Sequence, residues 1–126
     1  MTARLPFFQA SQKIGGKLFE LAGVITGEIK DKELYELVHM LTSYLNGCTF
    51  CIDLGVKQGR KHGINEMKLF HVAAWRDSQL FSEKERALFE WTEVVTKLDR
   101  AGVSDELYDR VRSHFSEKEI SDLTFA

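Results

Sequence analysis

The chain has 126 residues, of which 44% are hydrophobic and 29% charged, and its net charge is −2 at pH 7. These values are typical of one globular domain, residues 1–126, and exclude a strongly basic surface for nucleic acid. No apolar run approaches the roughly 18 residues that a membrane-spanning helix needs, and the N-terminus has no secretory signal pattern. We therefore expect a cytoplasmic protein whose partners are neither nucleic acids nor membranes.

Apolar residues recur at helical spacing, which predicts an all-α fold of about seven helices. The clearest apolar stripe consists of Leu34, Leu37, Val38, Leu41 and Leu45. Capping residues and glycine stops set the boundaries. The predicted helices are, in chain order, Ala10 to Glu28, Lys30 to Leu45, Gly47 or Cys48 to His62, Glu66 to Arg76, Glu83 to Asp99, Asp105 to Phe115, and a seventh that starts at Glu117.

Two capping boxes support the fifth and seventh helices. Ser82 is followed by Glu85, and Ser116 by Glu119, at the spacing that satisfies the first free N–H groups of a helix. The seventh helix has no stop signal before Ala126. A short helix without a C-cap is a poor natural end, so we expect the C-terminal helix to be truncated.

The chain's two cysteines, Cys48 and Cys51, follow the turn-forming pair Asn46-Gly47. At this spacing on a helix, both sulfurs share one face and are close enough to bridge. Cys48 falls in the first helical turn, where unpaired N–H groups and the helix dipole favour a thiolate. A redox pair is one interpretation, and two buried small hydrophobic residues are another.

A zinc site is a third interpretation of the cysteines. Zinc needs two further ligands, and the candidates are His39, His62, His71 and Asp53. Their spacings match no zinc finger or ribbon, so we expect no metal. The segment "IGGK" lacks the spacing and the preceding strand of a phosphate-binding loop, so we expect no cofactor either. Electrons would then come from an external thiol reductant or a partner protein.

Glu36 is the nearest candidate for acid–base chemistry, twelve residues before Cys48. With His39, Met40 and Ser43 it lies on a different face of its helix from the apolar stripe. If the chain folds back at Asn46-Gly47, part of that face meets the cysteines. Glu36 would then be a general base or a charge that perturbs a thiol, and otherwise a solvated surface residue.

The string "ELVHMLTSYLNGCTFCIDL" resembles the AhpD-like alkylhydroperoxidases within the carboxymuconolactone decarboxylase family, and "AAWRDSQLFSEKERALFEWTEVVT" continues the resemblance. The family implies an all-helical homo-oligomer, a trimer or hexamer. It implies that Cys51 attacks a peroxide or disulfide substrate, that Cys48 resolves the product into a disulfide, and that Glu36 heads a proton relay.

One departure from the family pattern affects this relay. The family has a histidine four residues after the second cysteine, where this chain has Gly55. Asp53 points away from Cys51 by roughly 200° around a helix. His62 lies three turns beyond Cys51, too far for direct contact, and suits the helix C-terminus. His39 is the best substitute within the chain.

Two hypotheses follow from Gly55: peroxide turnover is weaker than in relatives with the histidine, and disulfide exchange is better preserved. The leading function is therefore an oxidoreductase that uses the cysteine pair to reduce disulfides or hydroperoxides. One alternative is a lactone decarboxylase-like enzyme, although decarboxylase members of the family typically lack the paired cysteines. Another is a helical oligomer or binding scaffold whose catalytic residues have decayed.

Overall fold

The computed structural model describes residues 5–126, apart from the side chain of Phe7; the first four residues of the predicted domain 1–126 lie outside the described residues. Every regular element in this range is helical. The elements are α1 (Phe7–Ala10), α2 (Gln12–Glu28), α3 (Lys32–Leu45), α4 (Thr49–Lys61), α5 (Glu66–His71), a 3₁₀ turn (Val72–Ala74), α6 (Glu83–Lys97), α7 (Asp105–Arg112) and α8 (Glu117–Phe125). The predicted all-α class is confirmed.

The capping predictions are confirmed in detail. The side chains of Ser82 and Ser116 accept hydrogen bonds from the backbone N–H groups of Glu85 and Glu119. The side chains of Glu85 and Glu119 accept in return from the backbone N–H groups of Ser82 and Ser116. Asn65 and Ser104 likewise cap α5 and α7. Each such cap contributes about 1 kcal/mol to helix stability.

Several helix boundaries differ from the sequence prediction: α3 starts at Lys32 and not at Lys30, and α7 ends at Arg112 and not at Phe115. The short α1 before α2 was not predicted. The helix predicted to reach Arg76 ends at His71 and tightens into the 3₁₀ turn, which buries Val72. The fifth predicted helix ends at Lys97, because Leu98 adopts a left-handed conformation with φ 49°. Helices often end in a 3₁₀ turn or in a left-handed residue, and neither kind of ending can be predicted from the spacing of hydrophobic residues.

The core has two apolar clusters, and α3 contributes to both. Leu37 and Leu41 point into a cluster with Leu69 of α5 and Phe89 of α6. Leu34 and Val38 point into the other cluster, which contains residues of α6, α7 and α8. Burial of a side chain of this size is worth about 1.5–3 kcal/mol. The predicted apolar stripe therefore makes α3 the central helix of the domain.

A tight turn folds α4 back against α3. Gly47 takes φ +63°, a conformation that glycine adopts without strain. The N–H of Gly47 donates to the carbonyl of Tyr44 at 3.1 Å, and that of Cys48 donates to Ser43 at 3.0 Å. These bonds close the end of α3 and set the cysteines at the start of α4.

The helix α2 differs from the rest of the domain because most of its apolar side chains are exposed. Gly15 is the one buried residue in its 17 residues. Large apolar side chains elsewhere on it are more than half exposed, namely Ile14, Leu18, Phe19, Leu21 and Val24. No helix within residues 5–126 combines the length and apolar character needed to cross a membrane.

Candidate functional site

The two cysteines lie at the N-terminus of α4, where Cys48 is the N-cap residue. Its Sγ accepts a hydrogen bond from the backbone N–H of Cys51 at 3.2 Å. That N–H is one of the first donors of the helix, which have no partner within it. A negative charge on Cys48 is favoured here by this hydrogen bond and by the positive end of the helix dipole.

Cys48 and Cys51 are joined by a disulfide, with their Cα atoms 5.3 Å apart. Both residues are partly exposed. Phe50, between them in sequence, is 76% exposed, and Leu54 one turn later is 39% exposed. An incoming thiol or peroxide therefore has access to a sulfur pair that is flanked by apolar surface.

The carboxyl group of Glu36 is only 3% exposed and contacts α4 at its far end. Its Oε1 lies 3.1 Å from Nδ1 of His62, the residue that ends α4. His62 follows Cys51 by eleven residues, about 16 Å along a helix axis. Glu36 therefore meets the same helix as the cysteines, but through a partner near the opposite end.

Burial raises the pKa of the Glu36 carboxyl above its ordinary value. The positive charge and the hydrogen bond of His62 act in the opposite direction, and so does the more distant charge of Lys32. Burial outweighs these opposing effects, so the pKa stays above its ordinary value, and such perturbed groups are common at functional sites.

His39 lies on α3 between the cysteines and the Glu36–His62 pair. Its ring nitrogen Nδ1 would be 3.4 Å from a Cβ atom built on Gly55, which follows Cys51 by one helical turn. The same Cβ would be 2.5 Å from Sδ of the fully buried Met40. A side chain at position 55 would collide with Met40, so glycine lets α3 approach α4 closely here.

The face of α3 that sequence analysis separated from the apolar stripe is the face that meets α4. Glu36 contacts His62, and both His39 and Met40 face Gly55. The carbonyl of Ser43 accepts from the Cys48 N–H. The structure thus brings Cys48 and Cys51 together and pairs Glu36 with His62.

Sequence analysis named His62 as a candidate zinc ligand and favoured a role at the helix C-terminus, but it missed the contact with Glu36. His62 does end α4, but its ring also reaches a carboxyl on α3. The available signal was its position on the same helical face as Cys51 and Gly55. The register of the two antiparallel helices was not predictable from the sequence. This register places Glu36 beside the C-terminal end of α4.

The other polar candidates have ordinary surroundings. Asp53 forms a 2.6 Å ion pair with Lys57 on the exposed side of α4. Nδ1 of His71 lies 3.0 Å from Oγ of Ser78. Within residues 5–126, no three His, Cys, Asp or Glu side chains converge as a metal site would require. Asp53 and His71 therefore lie outside the network of α3 and α4.

The all-helical fold and the paired cysteines at a helix N-terminus define an AhpD-like protein. A solved structure from Agrobacterium tumefaciens has the same fold, with a TM-score of 0.93 and 31% sequence identity over 98% of this chain and 85% of that one. That protein is described as one of unknown function with a suggested role in AhpD-type antioxidant defence. The chain belongs to the carboxymuconolactone decarboxylase family, whose sequence profile matches residues 17–94.

Two bacterial relatives show the same likeness in sequence. YdfG of Bacillus subtilis is 39% identical over 88 residues, which are 70% of this chain and 60% of the relative. YnjA of Escherichia coli is 36% identical over 78 residues, 61% of this chain and 42% of the relative. Both are uncharacterized proteins, and the matched region spans less than two thirds of each.

Proposed function

We propose that this protein is a thiol–disulfide oxidoreductase of the AhpD-like type that reduces disulfides or hydroperoxides. The observation that carries the proposal is the accessible disulfide between Cys48 and Cys51 at the start of α4. A bond between neighbouring cysteines at a helix N-terminus can open to two thiols with little movement of the backbone.

With a hydroperoxide, the Cys51 thiolate attacks the O–O bond and becomes a sulfenic acid, while the leaving alkoxide takes a proton and departs as the alcohol. The Cys48 thiol then attacks the sulfenic sulfur, which forms the disulfide and releases water. Two thiols of an external reductant return the pair to the dithiol and leave as a disulfide. The substrate peroxide is thus reduced by two electrons that the reductant supplies.

The capping position of Cys48 supports this division of roles. The N–H group of Cys51 points at Sγ of Cys48 and favours its thiolate form. A stabilised thiolate is a good leaving group, so a reductant that attacks Sγ of Cys51 readily expels Cys48. After peroxide attack, the same thiolate is ready to resolve the sulfenic acid.

The experiment that tests this proposal compares the parent with Cys51→Ser and Cys48→Ser. We expect the reduced parent to consume hydroperoxide or to reduce a model disulfide, with one thiol alkylated rapidly at pH 6 to 7. Cys51→Ser should lose turnover at least about 10²-fold, because its nucleophile is gone. Two unreactive cysteines and no turnover in the parent would indicate a scaffold that has lost its chemistry.

We further propose that the chain forms a homo-oligomer through α2. Ile14, Leu18 and Leu21 repeat at helical spacing on one face of α2, and all three are more than half exposed. Contiguous exposed apolar surface on a soluble protein is typical of an interaction site. A helix with apolar residues on several faces is normally covered, and a second copy of α2 matches its chemistry.

Light scattering during gel filtration tests the interface. Leu18→Glu should reduce the parent's mass to that of a monomer, because a charge would be buried without a partner. Leu98→Glu is the matched control, since Leu98 is also exposed and apolar but lies outside α2. A monomeric parent, or an unchanged mass in Leu18→Glu, would contradict this interface.

A further inference from the structure

Glu36, His39 and His62 lie with the two cysteines along the contact between α3 and α4. Cys51 lies near one end, and the Glu36–His62 pair lies near the other. His39 is one helical turn from Glu36 on α3, and its Nδ1 faces Gly55 on α4. The His39 imidazole therefore lies between Cys51 and the Glu36–His62 pair, on the side of α3 that faces α4.

The position of His39 relative to Cys51 follows from helix geometry. Cβ positions four residues apart on a helix are about 5–6 Å apart, and side chains lean towards the N-terminus. A Cβ at Gly55 would thus lie next to the Cys51 side chain, and Nδ1 of His39 is 3.4 Å from that Cβ position. The imidazole thus lies about one helical turn from Cys51 along α4, a gap that a change of rotamer or a bridging water could close.

We propose that His39 accepts the proton of the Cys51 thiol, with the buried Glu36, which pairs with His62, one helical turn away along α3. The proposal rests on the oxidoreductase function and names the proton acceptor of that site. The Cys51 thiol loses its proton to the neutral imidazole, which gives a thiolate and an imidazolium. When the thiolate attacks, the imidazolium returns this proton to the departing alkoxide or thiolate.

The surroundings of His39 suit a base. Burial lowers the pKa of its imidazole below the ordinary 6.5, so the ring is neutral and able to accept a proton at neutral pH. The Tyr35 ring lies parallel to it, with the ring centroids 6.3 Å apart.

Lys32 of α3 lies near Glu36 and donates to the backbone carbonyls of Thr26 and Ile29, and other charged groups near this contact form ion pairs. From α4, the charged or titratable neighbours are the cysteines and His62. Lys68 of α5 binds Glu85 of α6 at 2.7 Å, and Arg76, in the segment between these helices, binds Glu93 of α6 at 2.7 Å.

The test measures the rate of iodoacetamide alkylation against pH in a Cys48→Ser background, where Cys51 is the only thiol. Serine is a good N-cap residue, so α4 keeps its start. We expect His39→Gln to reduce alkylation at pH 7 about tenfold by moving the midpoint of the pH profile upwards by about one unit. His71→Gln is the matched control, because His71 is also partly buried and hydrogen-bonded but lies on α5.

An unchanged midpoint in a folded His39→Gln protein would overturn the proposal. If His39→Gln fails to fold, NMR titration of the histidines in the parent decides the matter. Reduction of the disulfide should then raise the pKa of His39, because a thiolate replaces a neutral bond beside it. An equal His39 titration in both redox states would refute the proposal. Turnover by the parent is a separate measurement, so a failure of His39 as base is distinguishable from a failure of the oxidoreductase function.

Discussion

The two glycines of α4 and three of the four glycines of α2 have opposite surroundings; the fourth, Gly15, lies against Phe8. A Cβ built on Gly55 or Gly59 of α4 would come within 3.0 Å of buried side chains of Met40 or Leu69. A Cβ on Gly16, Gly23 or Gly27 of α2 would meet nothing within 4 Å. Glycine at positions 55 and 59 thus permits the close packing that builds the candidate site, whereas Gly16, Gly23 and Gly27 only lower the stability of α2 within one chain.

The largest expected effect comes from filling the contact at Gly55. Gly55→His should destabilise the protein by about 3 kcal/mol or more, because Sδ of the buried Met40 occupies the space that the new Cβ needs. The double variant Gly55→His/Met40→Ala should recover part of this loss. Urea unfolding of the parent and both variants measures these differences in free energy.

The double variant also tests whether the missing histidine limits peroxide turnover. We expect hydroperoxide consumption to rise about tenfold, less than the 10²–10⁴-fold of a complete acid–base group, because His39 already serves in part. Met40→Ala alone is the control for the change in packing. No gain over this control in a folded double variant would mean that Gly55 is irrelevant to the rate.

The second prediction compares the same substitution in the two helices. Gly59→Ala should lose about 1–2 kcal/mol, because overpacking against both methyl groups of Leu69 exceeds the gain in helix propensity. Gly23→Ala should instead gain about 0.5–1 kcal/mol, since its Cβ meets open space. Urea unfolding under identical conditions gives both values. A loss in Gly23→Ala would show that this face of α2 is covered in the assembled protein.

The contrast between these helices also marks what the sequence alone could reveal. The apolar stripe of α3 and the capping boxes at Ser82 and Ser116 were predictable, because they are patterns within one element. The cysteine pair was predictable for the same reason. The spacing Cys48-x-x-Cys51 places both sulfurs at one helix end, whatever the rest of the chain does.

Contacts between elements were not predictable in this way. The Glu36–His62 pair depends on how far α4 slides along α3, and that depends on close packing at Gly55 and Gly59. A glycine in a helical sequence can either lower helix stability or permit close packing with another helix. The sequence pattern does not distinguish the two cases, so the glycines of α2 and α4 could not be told apart from the sequence. The neighbours of each glycine, which only the tertiary structure supplies, separate the two cases.

The smallest expected effect concerns the pH dependence of stability and compares Glu36 with Glu20. Burial raises the pKa of Glu36 in the folded protein, so the folded state binds this proton more tightly than the unfolded chain does. The resulting stability is fully present below the unfolded value near 4.5 and is lost as the pH rises through the folded pKa. Glu36→Gln cannot ionise, so its unfolding free energy should change less between pH 4 and pH 7 than that of the parent.

Glu20→Gln on α2 is the matched control for this measurement. Glu20 forms a 2.6 Å ion pair with Lys17, but both side chains are well over half exposed. Such pairs contribute only about 0–1 kcal/mol, so the pH profile of Glu20→Gln should follow that of the parent. Equal slopes in Glu36→Gln and the parent would mean that the attraction of His62 fully offsets the burial of Glu36. The pKa of Glu36 would then equal its unfolded value, so the carboxyl would be ionised only in the upper part of this pH range.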